Sequence, residues 1–168
     1  MKVTNSKTQK SEMNANRISN IEHQTSNCYF TEQEIVSGLK QKRKLGRFIN
    51  ELIFHFTKKE IKVSYVFSTD EFVLSINQEY LQHDTYTDII TFDLSEKKST
   101  LVLSDIFISI ERVKENALTF NKKYQEELLR VIIHGALHLS GFKDKSKEQK
   151  AEMRNLEEIW INKYSTFS

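Results

Sequence analysis

The chain has 168 residues, of which 38% are hydrophobic and 29% are charged, as in an ordinary soluble globular protein of one domain. The formal net charge of +2 does not by itself indicate a nucleic-acid binder, and the single cysteine, Cys28, excludes an intramolecular disulfide framework. No apolar run has the length of a membrane span and the first residues lack the apolar stretch of a signal peptide, so we expect a cytoplasmic location and no membrane partner.

The N-terminal segment is polar. Residues 1–17 contain almost no large apolar side chains, and because they cannot bury enough surface to offset the entropy of ordering, we expect a disordered extension. The stretch ISNIEHQ (18–24) predicts at most a weak first strand. The rest of the chain, residues 18–168, is expected to form one domain.

The next segments have clear periodicity. Apolar residues recur at helical spacing over 40–56, which predicts a helix with one buried face. The stretch IKVSYVF (61–67) alternates with a period of two and predicts a strand. STDE (68–71) has the pattern of a capping box, with Glu71 three residues after Ser68, and predicts a short helix that runs to about residue 80.

The middle of the chain, residues 82–110, is predicted to form a loop, a strand, a turn and a second strand. QHDTYTD (82–88) is a polar loop, IITF (89–92) is a short apolar strand, and residues 94–100 form a turn. The longest strand candidate, 101–110, places Ile106, Ile108 and Ile110 on one face and Asp105, Phe107 and Ser109 on the other.

Three helices complete the pattern. They are expected over about 111–120, over 124–140 with Gly141 as its stop, and after a second capping box, SKEQ (146–149). The sequence therefore predicts an α+β fold: a single small domain in which about five helices flank one mixed sheet of about four strands. The helix over 124–140 is apolar nearly all round, so it is expected to be central and buried.

The segment HGALHLSGFKD (134–144) carries the candidate chemistry. His134 and His138 lie one helical turn apart on one face, and Asp144 follows the helix stop in a tight loop that can return the carboxylate to them. Two nitrogens, one oxygen and an open position are the pattern of a catalytic zinc site. The alternative is a buried helix in which both imidazoles merely satisfy backbone carbonyls.

Three blocks resemble the YbeY family of bacterial endoribonucleases, which mature ribosomal RNA. LLRVIIHGALHLSGFKD is similar to the family motif H-G-x-L-H-L-x-G-Y-D-H with the apolar run before it. NQEYLQHDTYTDIITF (77–92) resembles N-x-x-Y-R-x-K-D-x-P-T-D-V-L-S-F, and SDIFISIERVKENA (104–117) resembles the G-D-I-x-I-S strand and the helix after it. The blocks stand in the family's order and the likeness covers most of residues 40–164.

The departures from the family pattern fall at functional positions. The family's third histidine falls at Asp144 and the aspartate before it at Lys143. A carboxylate can replace an imidazole as a zinc ligand, so the resemblance implies that the triad is kept with altered chemistry. The family's arginine falls at Leu81 and its following lysine at His83.

The resemblance implies a single-strand-specific, metal-dependent endoribonuclease of small-subunit ribosomal RNA 3′-end maturation and ribosome quality control. Its expected partners are ribosomal RNA and the small subunit, with no DNA. Its expected metal is one Zn²⁺, or another divalent ion, on His134, His138 and Asp144. The same three residues, together with His83, are the expected catalytic residues; the bland interpretation of His83 is a surface imidazole.

Two other functions stay open. Leucine at position 81 cannot hold a phosphate, which favours a non-catalytic assembly factor with a structural metal. A metallopeptidase is weaker, because Gly135 occupies the position of the glutamate base in H-E-x-x-H. Glu127 is a conceivable substitute base, although a solvated helix-start charge is the simpler interpretation.

Other polar residues are assigned more weakly. Asp88 and Asp105 are candidates to orient the histidines, with a strand-edge hydrogen bond as the equal alternative for Asp105. The basic run 40–47 is a candidate phosphate-binding surface, although a solvated helix face is the more common meaning of such a run. Its charged members are Lys40, Lys42, Arg43, Lys44 and Arg47.

Overall fold

The computed structural model of the protein describes residues 27–168, so the extension predicted for 1–17 and the weak strand predicted for 18–24 lie outside the described residues. Within 27–168 the predicted α+β class is confirmed, with four strands, five α-helices and one π-helical turn. No helix of this part is both long and apolar enough to cross a membrane. The elements are β1 (Cys28–Glu32), α1 (Lys42–Thr57), β2 (Glu60–Ser68), α2 (Asp70–Ile76), the π turn (Asn77–Leu81), β3 (Ile89–Asp93), β4 (Leu101–Ser109), α3 (Ile110–Thr119), α4 (Tyr124–Leu139) and α5 (Lys147–Thr166).

The four strands form one mixed sheet in the order β1-β2-β4-β3. The pairs β1–β2 and β2–β4 are parallel, and β3 runs antiparallel to β4. Strand β1 was missed by the sequence analysis, because five residues with a polar end carry too little alternation to stand out. Its position comes from tertiary packing: Phe30 stacks on the buried ring of Tyr65, with ring centroids 5.3 Å apart.

The two faces of the sheet differ in the size of the hydrophobic cluster that packs against them. Ile61, Val63, Tyr65 and Phe67 of β2 are fully buried on one face, as the period of two predicts. Helices α1 and α4 pack on this face, and α5 packs against these two helices to complete the main core. The opposite face carries a smaller cluster under α2, built from Val66, Val73, Ile90 and Phe107 with partly buried neighbours.

Helix α4 lies at the centre of the molecule and packs directly on the sheet. A Cβ atom added at Gly135 would lie 2.9 Å from Cδ1 of Ile89 and 3.3 Å from Cδ1 of Ile106, so the glycine permits a close approach. This contact fixes which side of α4 faces the sheet, and it leaves His134 to reach Glu157 of α5. The predicted central, buried helix is thereby confirmed.

The start and the end of α2 differ from the prediction. The capping residue is Thr69, whose hydroxyl accepts a hydrogen bond from the Phe72 amide, whereas the Ser68 hydroxyl donates to the carbonyl of Gln33. The capping box read at Ser68 is therefore wrong by one residue, because the Ser68 side chain is used in a contact distant in sequence. The α-helix also ends at Ile76 and continues to Leu81 only as the π turn.

Candidate metal centre

Three ligand atoms converge at the C-terminal end of α4. The Nε2 atoms of His134 and His138 are 2.9 Å apart, and Oδ2 of Asp144 lies 3.5 Å from each of them. These three residues form a group that can hold a metal ion, with ligand atoms that all lie within 4.8 Å of one another. The structure thus brings together the three metal ligands expected from the sequence.

The loop that returns Asp144 is built from two helix caps. Gly141 has a φ of +100°, its amide donates to the carbonyl of His138, and the amide of Phe142 donates to the carbonyl of Leu137. These bonds form a Schellman motif, which ends α4 and turns the chain back. Ser146 then caps α5 in the predicted capping box, so Asp144 is not needed as a cap.

The outer ring nitrogens define the histidine tautomers. Nδ1 of His138 lies 2.9 Å from the carbonyl oxygen of Phe142, and Nδ1 of His134 lies 2.6 Å from Oε1 of Glu157. Carbonyl and carboxylate oxygens only accept, so the proton of each ring sits on Nδ1. In neutral rings with this tautomer, the Nε2 atoms carry the lone pairs, and these two atoms lie next to each other and to the Asp144 carboxylate.

This donor set fits a divalent cation. Two nitrogen lone pairs and a carboxylate oxygen repel one another at such distances unless a positive charge lies among them. Bonds of about 2.0–2.1 Å to a tetrahedral zinc ion would place two ligand atoms about 3.3 Å apart, close to the observed separations. Three protein ligands rather than four leave a position open, which is the arrangement of catalytic sites.

A charge network with two buried glutamates lies behind His134. Arg130 donates to Glu127 from Nη2 at 2.6 Å and to Glu157 from Nη1 at 3.2 Å, and it lies 3.8 Å from Asp88. Burial disfavours the charge of Arg130, but hydrogen bonds and charges of the two glutamates outweigh burial and raise the pKa of the guanidinium. Arg130 therefore stays cationic and links its own helix to α5 and to the residue before β3.

Two interpretations of acidic residues are corrected here. Glu127 is only 2% exposed and bonds Arg130, so it is neither a solvated helix-start charge nor a base free to act on a substrate. Asp105 lies on the face of β4 that carries Phe107, opposite to the face that Ile106 turns toward α4, so it does not orient the histidines directly. Asp88 accepts a hydrogen bond from Asn116 and lies 3.8 Å from Arg130, which in turn bonds Glu157, the partner of His134.

Sequence reasoning missed Glu157, the residue that orients His134. A signal was present: Met153, Glu157 and Trp160 are the buried positions of α5, so an acidic residue occupies the apolar stripe of an amphipathic helix. A charge at such a position indicates a buried partner.

A cleft of about 900 Å³ opens beside His134 and Asp144, between the end of α3, α4 and α5. Its walls carry charges of both signs and one strongly exposed aromatic ring, that of Phe120, which is 59% exposed. Exposed basic residues of the cleft are Lys122, Lys150 and Arg154. A groove that carries an aromatic ring and cations beside the candidate metal centre has the elements that bind a single nucleic-acid strand.

The remaining predicted site residue, His83, is not part of the metal group. It lies exposed in the 82–88 loop, where its amide donates to the carbonyl of Asn77 at 3.3 Å. The side chain of Asn77 is buried and donates to the carbonyl of Thr85 at 2.7 Å, which anchors the loop. Leu81 precedes the loop and is 42% exposed. A catalytic role for His83 stays a prediction.

The basic run 40–47 is partly engaged within the protein. Lys42 lies 3.7 Å from Glu32, and Nζ of Lys44 lies 4.8 Å from the ring centroid of Tyr164. Arg47 donates to the backbone oxygen of Ser168 at 3.1 Å. These contacts favour the solvated helix face over a dedicated phosphate-binding surface.

Comparisons with known proteins agree on one family. A family model described as Endoribonuclease YbeY matches residues 6–165. Endoribonuclease YbeY of Porphyromonas gingivalis is 48% identical over 118 residues, which are 70% of this chain and 77% of that protein. The Cytophaga hutchinsonii protein of the same name is 40% identical over 80% of this chain and 93% of its own length. The solution structure of TM1509 from Thermotoga maritima is similar with a TM-score of 0.52 and 27% identity, over 83% of this chain and 92% of that chain.

Proposed function

Because this chain belongs to the YbeY endoribonuclease family, we propose that it is a metal-dependent endoribonuclease that cleaves single-stranded RNA. His134, His138 and Asp144 hold one divalent ion, with zinc the expected one. The observation that carries the proposal is the convergence of two imidazole Nε2 atoms and one carboxylate oxygen beside an open cleft.

The chain's own residues prepare the site for hydrolysis of a phosphodiester. A bound divalent ion would polarise a phosphoryl oxygen and acidify a water molecule. Glu157 and the Phe142 carbonyl hold the two imidazoles in the tautomer that an ion requires. Asp144 contributes a charged oxygen from a loop that two helix caps keep short.

The cleft supports RNA as the substrate. Lys122, Lys150 and Arg154 supply cations for phosphate groups, and Phe120 offers a ring on which an unpaired base can stack. A duplex keeps its bases stacked inside, so an exposed ring favours a single strand.

Ribosomal RNA of the small subunit, near its 3′ end, is the proposed substrate. This part of the proposal rests on the resemblance to the family and not on a contact in the cleft. It includes a role in ribosome quality control, a cytoplasmic location and no action on DNA.

A non-catalytic assembly factor with a structural metal is the second candidate. Leu81 favours it, because an exposed leucine stands where the family pattern has an arginine. A metallopeptidase has less support. Gly135 faces the sheet, and a Cβ added there would lie 2.9 Å from Cδ1 of Ile89. A glutamate at this position would therefore point at the sheet and not reach the metal site.

Cleavage of a single-stranded fragment of small-subunit ribosomal RNA tests the proposal. We expect the purified protein to cut it, a chelator to stop the reaction, and added Zn²⁺ or Mn²⁺ to restore it. His134→Ala should be inactive, and His55→Ala, which alters an exposed histidine of α1, should retain the wild-type rate. RNA binding without cleavage at any metal concentration would favour the assembly factor instead.

Charge reversal in the basic run tests whether that surface also binds RNA. If Lys42, Arg43 and Lys44 contact phosphates, their replacement by glutamate should weaken binding and flatten its salt dependence by about one unit of slope per lost contact. An unchanged slope would leave the run as an ordinary solvated face and the cleft as the binding surface.

A further inference from the structure

The charge network behind His134 carries an inference that rests on the proposed metal site and deepens it. We propose that Arg130 and Glu157 are positioning residues that hold the three ligand atoms in place before an ion binds. Neither is a ligand: their effect passes through His134 and through the spacing of α4 and α5.

Glu157 makes the contact that orients His134. Its side chain is only 6% exposed, and Oε1 lies 2.6 Å from Nδ1 of the imidazole. Both of its carboxylate oxygens also accept from Nη1 of Arg130, at 3.3 and 3.2 Å. The carboxylate therefore cannot rotate away from the imidazole without giving up its cation.

Arg130 joins three separate parts of the fold. It is bonded to Glu127 on its own helix through Nε at 2.9 Å and Nη2 at 2.6 Å, to Glu157 on α5, and it approaches Asp88 before β3. Asp144 lies in the short loop between α4 and α5. The Arg130–Glu157 bond holds α5 against α4. Because the loop joins these two helices, the same bond restrains both ends of the loop that carries Asp144.

Stability alone is a poor explanation for such a network. Buried ion pairs are often no more stabilising than apolar residues of the same volume, because the cost of removing charges from water offsets their attraction. Three carboxylates gathered around one guanidinium carry an excess of negative charge. Glu157 of this group bonds His134, so the excess negative charge lies next to the residues that would hold a divalent cation.

Metal affinity separates positioning from general stability. We compare Zn²⁺ affinity, by competition with a chromophoric chelator, and the visible absorption of bound Co²⁺ in the full-length wild type and in Arg130→Met. The expected result is a loss of about 10- to 100-fold in Zn²⁺ affinity and a changed Co²⁺ spectrum, with partial recovery of both in Arg130→Lys.

Arg112→Met is the matched control. Its side chain is 29% exposed like that of Arg130, and it pairs with Asp70 at 2.9 Å and with Glu115, away from the ligand atoms. We expect this variant to keep the affinity and the spectrum of the wild type. If Arg130→Met does not fold, Glu157→Gln tests the same link, because the amide keeps the size of the side chain but loses the charge that holds Arg130.

The possible outcomes are distinct. Affinity within about twofold of the wild type in both Arg130→Met and Glu157→Gln would overturn the inference, and so would an equal loss in Arg112→Met. A wild-type protein that binds neither Zn²⁺ nor Co²⁺ would remove the metal site and both proposals with it. Metal binding that depends on Arg130 without RNA cleavage would support the inference and contradict only the proposed activity.

Discussion

Replacement of Asp144 by alanine should abolish most of the stabilisation that Zn²⁺ gives the protein. The carboxylate oxygen lies 3.5 Å from both imidazole Nε2 atoms and is the one carboxylate oxygen of the three-atom group. Asp144→Ala removes this ligand and leaves the helix caps on either side intact, because Ser146 caps α5. The side chain is 41% exposed, so the metal-free variant should be about as stable as the metal-free wild type.

The size of the effect follows from the number of ligands. Structural zinc sites with four ligands bind with about 10–16 kcal/mol, which is about 3 kcal/mol per ligand or about 100-fold in the dissociation constant. At an ion concentration 100 times the wild-type dissociation constant, binding stabilises the wild type by about 2.7 kcal/mol and the variant by about 0.4 kcal/mol. For a chain of 168 residues these free energies correspond to increases in Tm of about 5–10 °C and about 1–2 °C.

Thermal unfolding with and without Zn²⁺ at one fixed ion concentration measures this difference. Asp93→Ala is the control, because it removes an exposed aspartate at the end of β3 that lies outside the metal group. Asp144→His should keep the metal-induced increase in Tm, since an imidazole occupies this position in the family pattern. An Asp144→Ala protein that shows the full wild-type increase would refute the assignment, and His83 would then be the first residue to test as third ligand.

Three further changes test other parts of the site and the fold. Gly141→Ala should lower the free energy of unfolding by about 1–2 kcal/mol, since the new Cβ meets nothing within 4 Å and only the φ of +100° opposes it; an unchanged urea midpoint would contradict this. Phe120→Ala should weaken single-stranded RNA binding by about 1–3 kcal/mol in a fluorescence titration, whereas Leu118→Ala, at a residue 83% exposed and outside the cleft, should not; equal losses would argue against stacking. Glu32→Gln should destabilise the protein at pH 7, and the difference from the wild type should shrink as the pH is lowered. The hydrogen bond from the Ser37 hydroxyl lowers the pKa of Glu32, although partial burial opposes it. The stabilisation from the ionised Glu32 is therefore present above the ordinary pKa of about 4.3 and is lost as the pH falls through the pKa of the folded state. A difference in urea unfolding that does not change with pH would count against this assignment.

The parts of the site that are local in sequence were predictable. His134 and His138 share a face because a helix repeats every 3.6 residues, and Gly141 with the Ser146 cap fixes where the chain turns. These features depend on residues a few positions apart, so they could be predicted from the sequence without knowledge of the fold. The return of Asp144 toward the histidines follows from the shortness of the loop.

The parts that depend on distant partners were not predictable. Glu127 resembles any acidic residue in the first turn of a helix, and only the fold shows that it is buried with Arg130. Glu157 meets His134 across 23 positions of the chain, and no local pattern specifies that pair. Strand β1 is likewise defined by its partner β2 and not by its own five residues.

The Schellman motif at the end of α4 shares atoms with the candidate metal centre. His138 donates from Nδ1 to the carbonyl of Phe142, and the amides of Gly141 and Phe142 donate back into the last turn of the helix. Helix ends normally fray, and their amide protons exchange quickly with solvent. Here fraying would also release the ring of a ligand, so an ion held at Nε2 would oppose it. Hydrogen exchange at these two amides should therefore slow when the site is occupied and report occupancy with a spectroscopically silent ion.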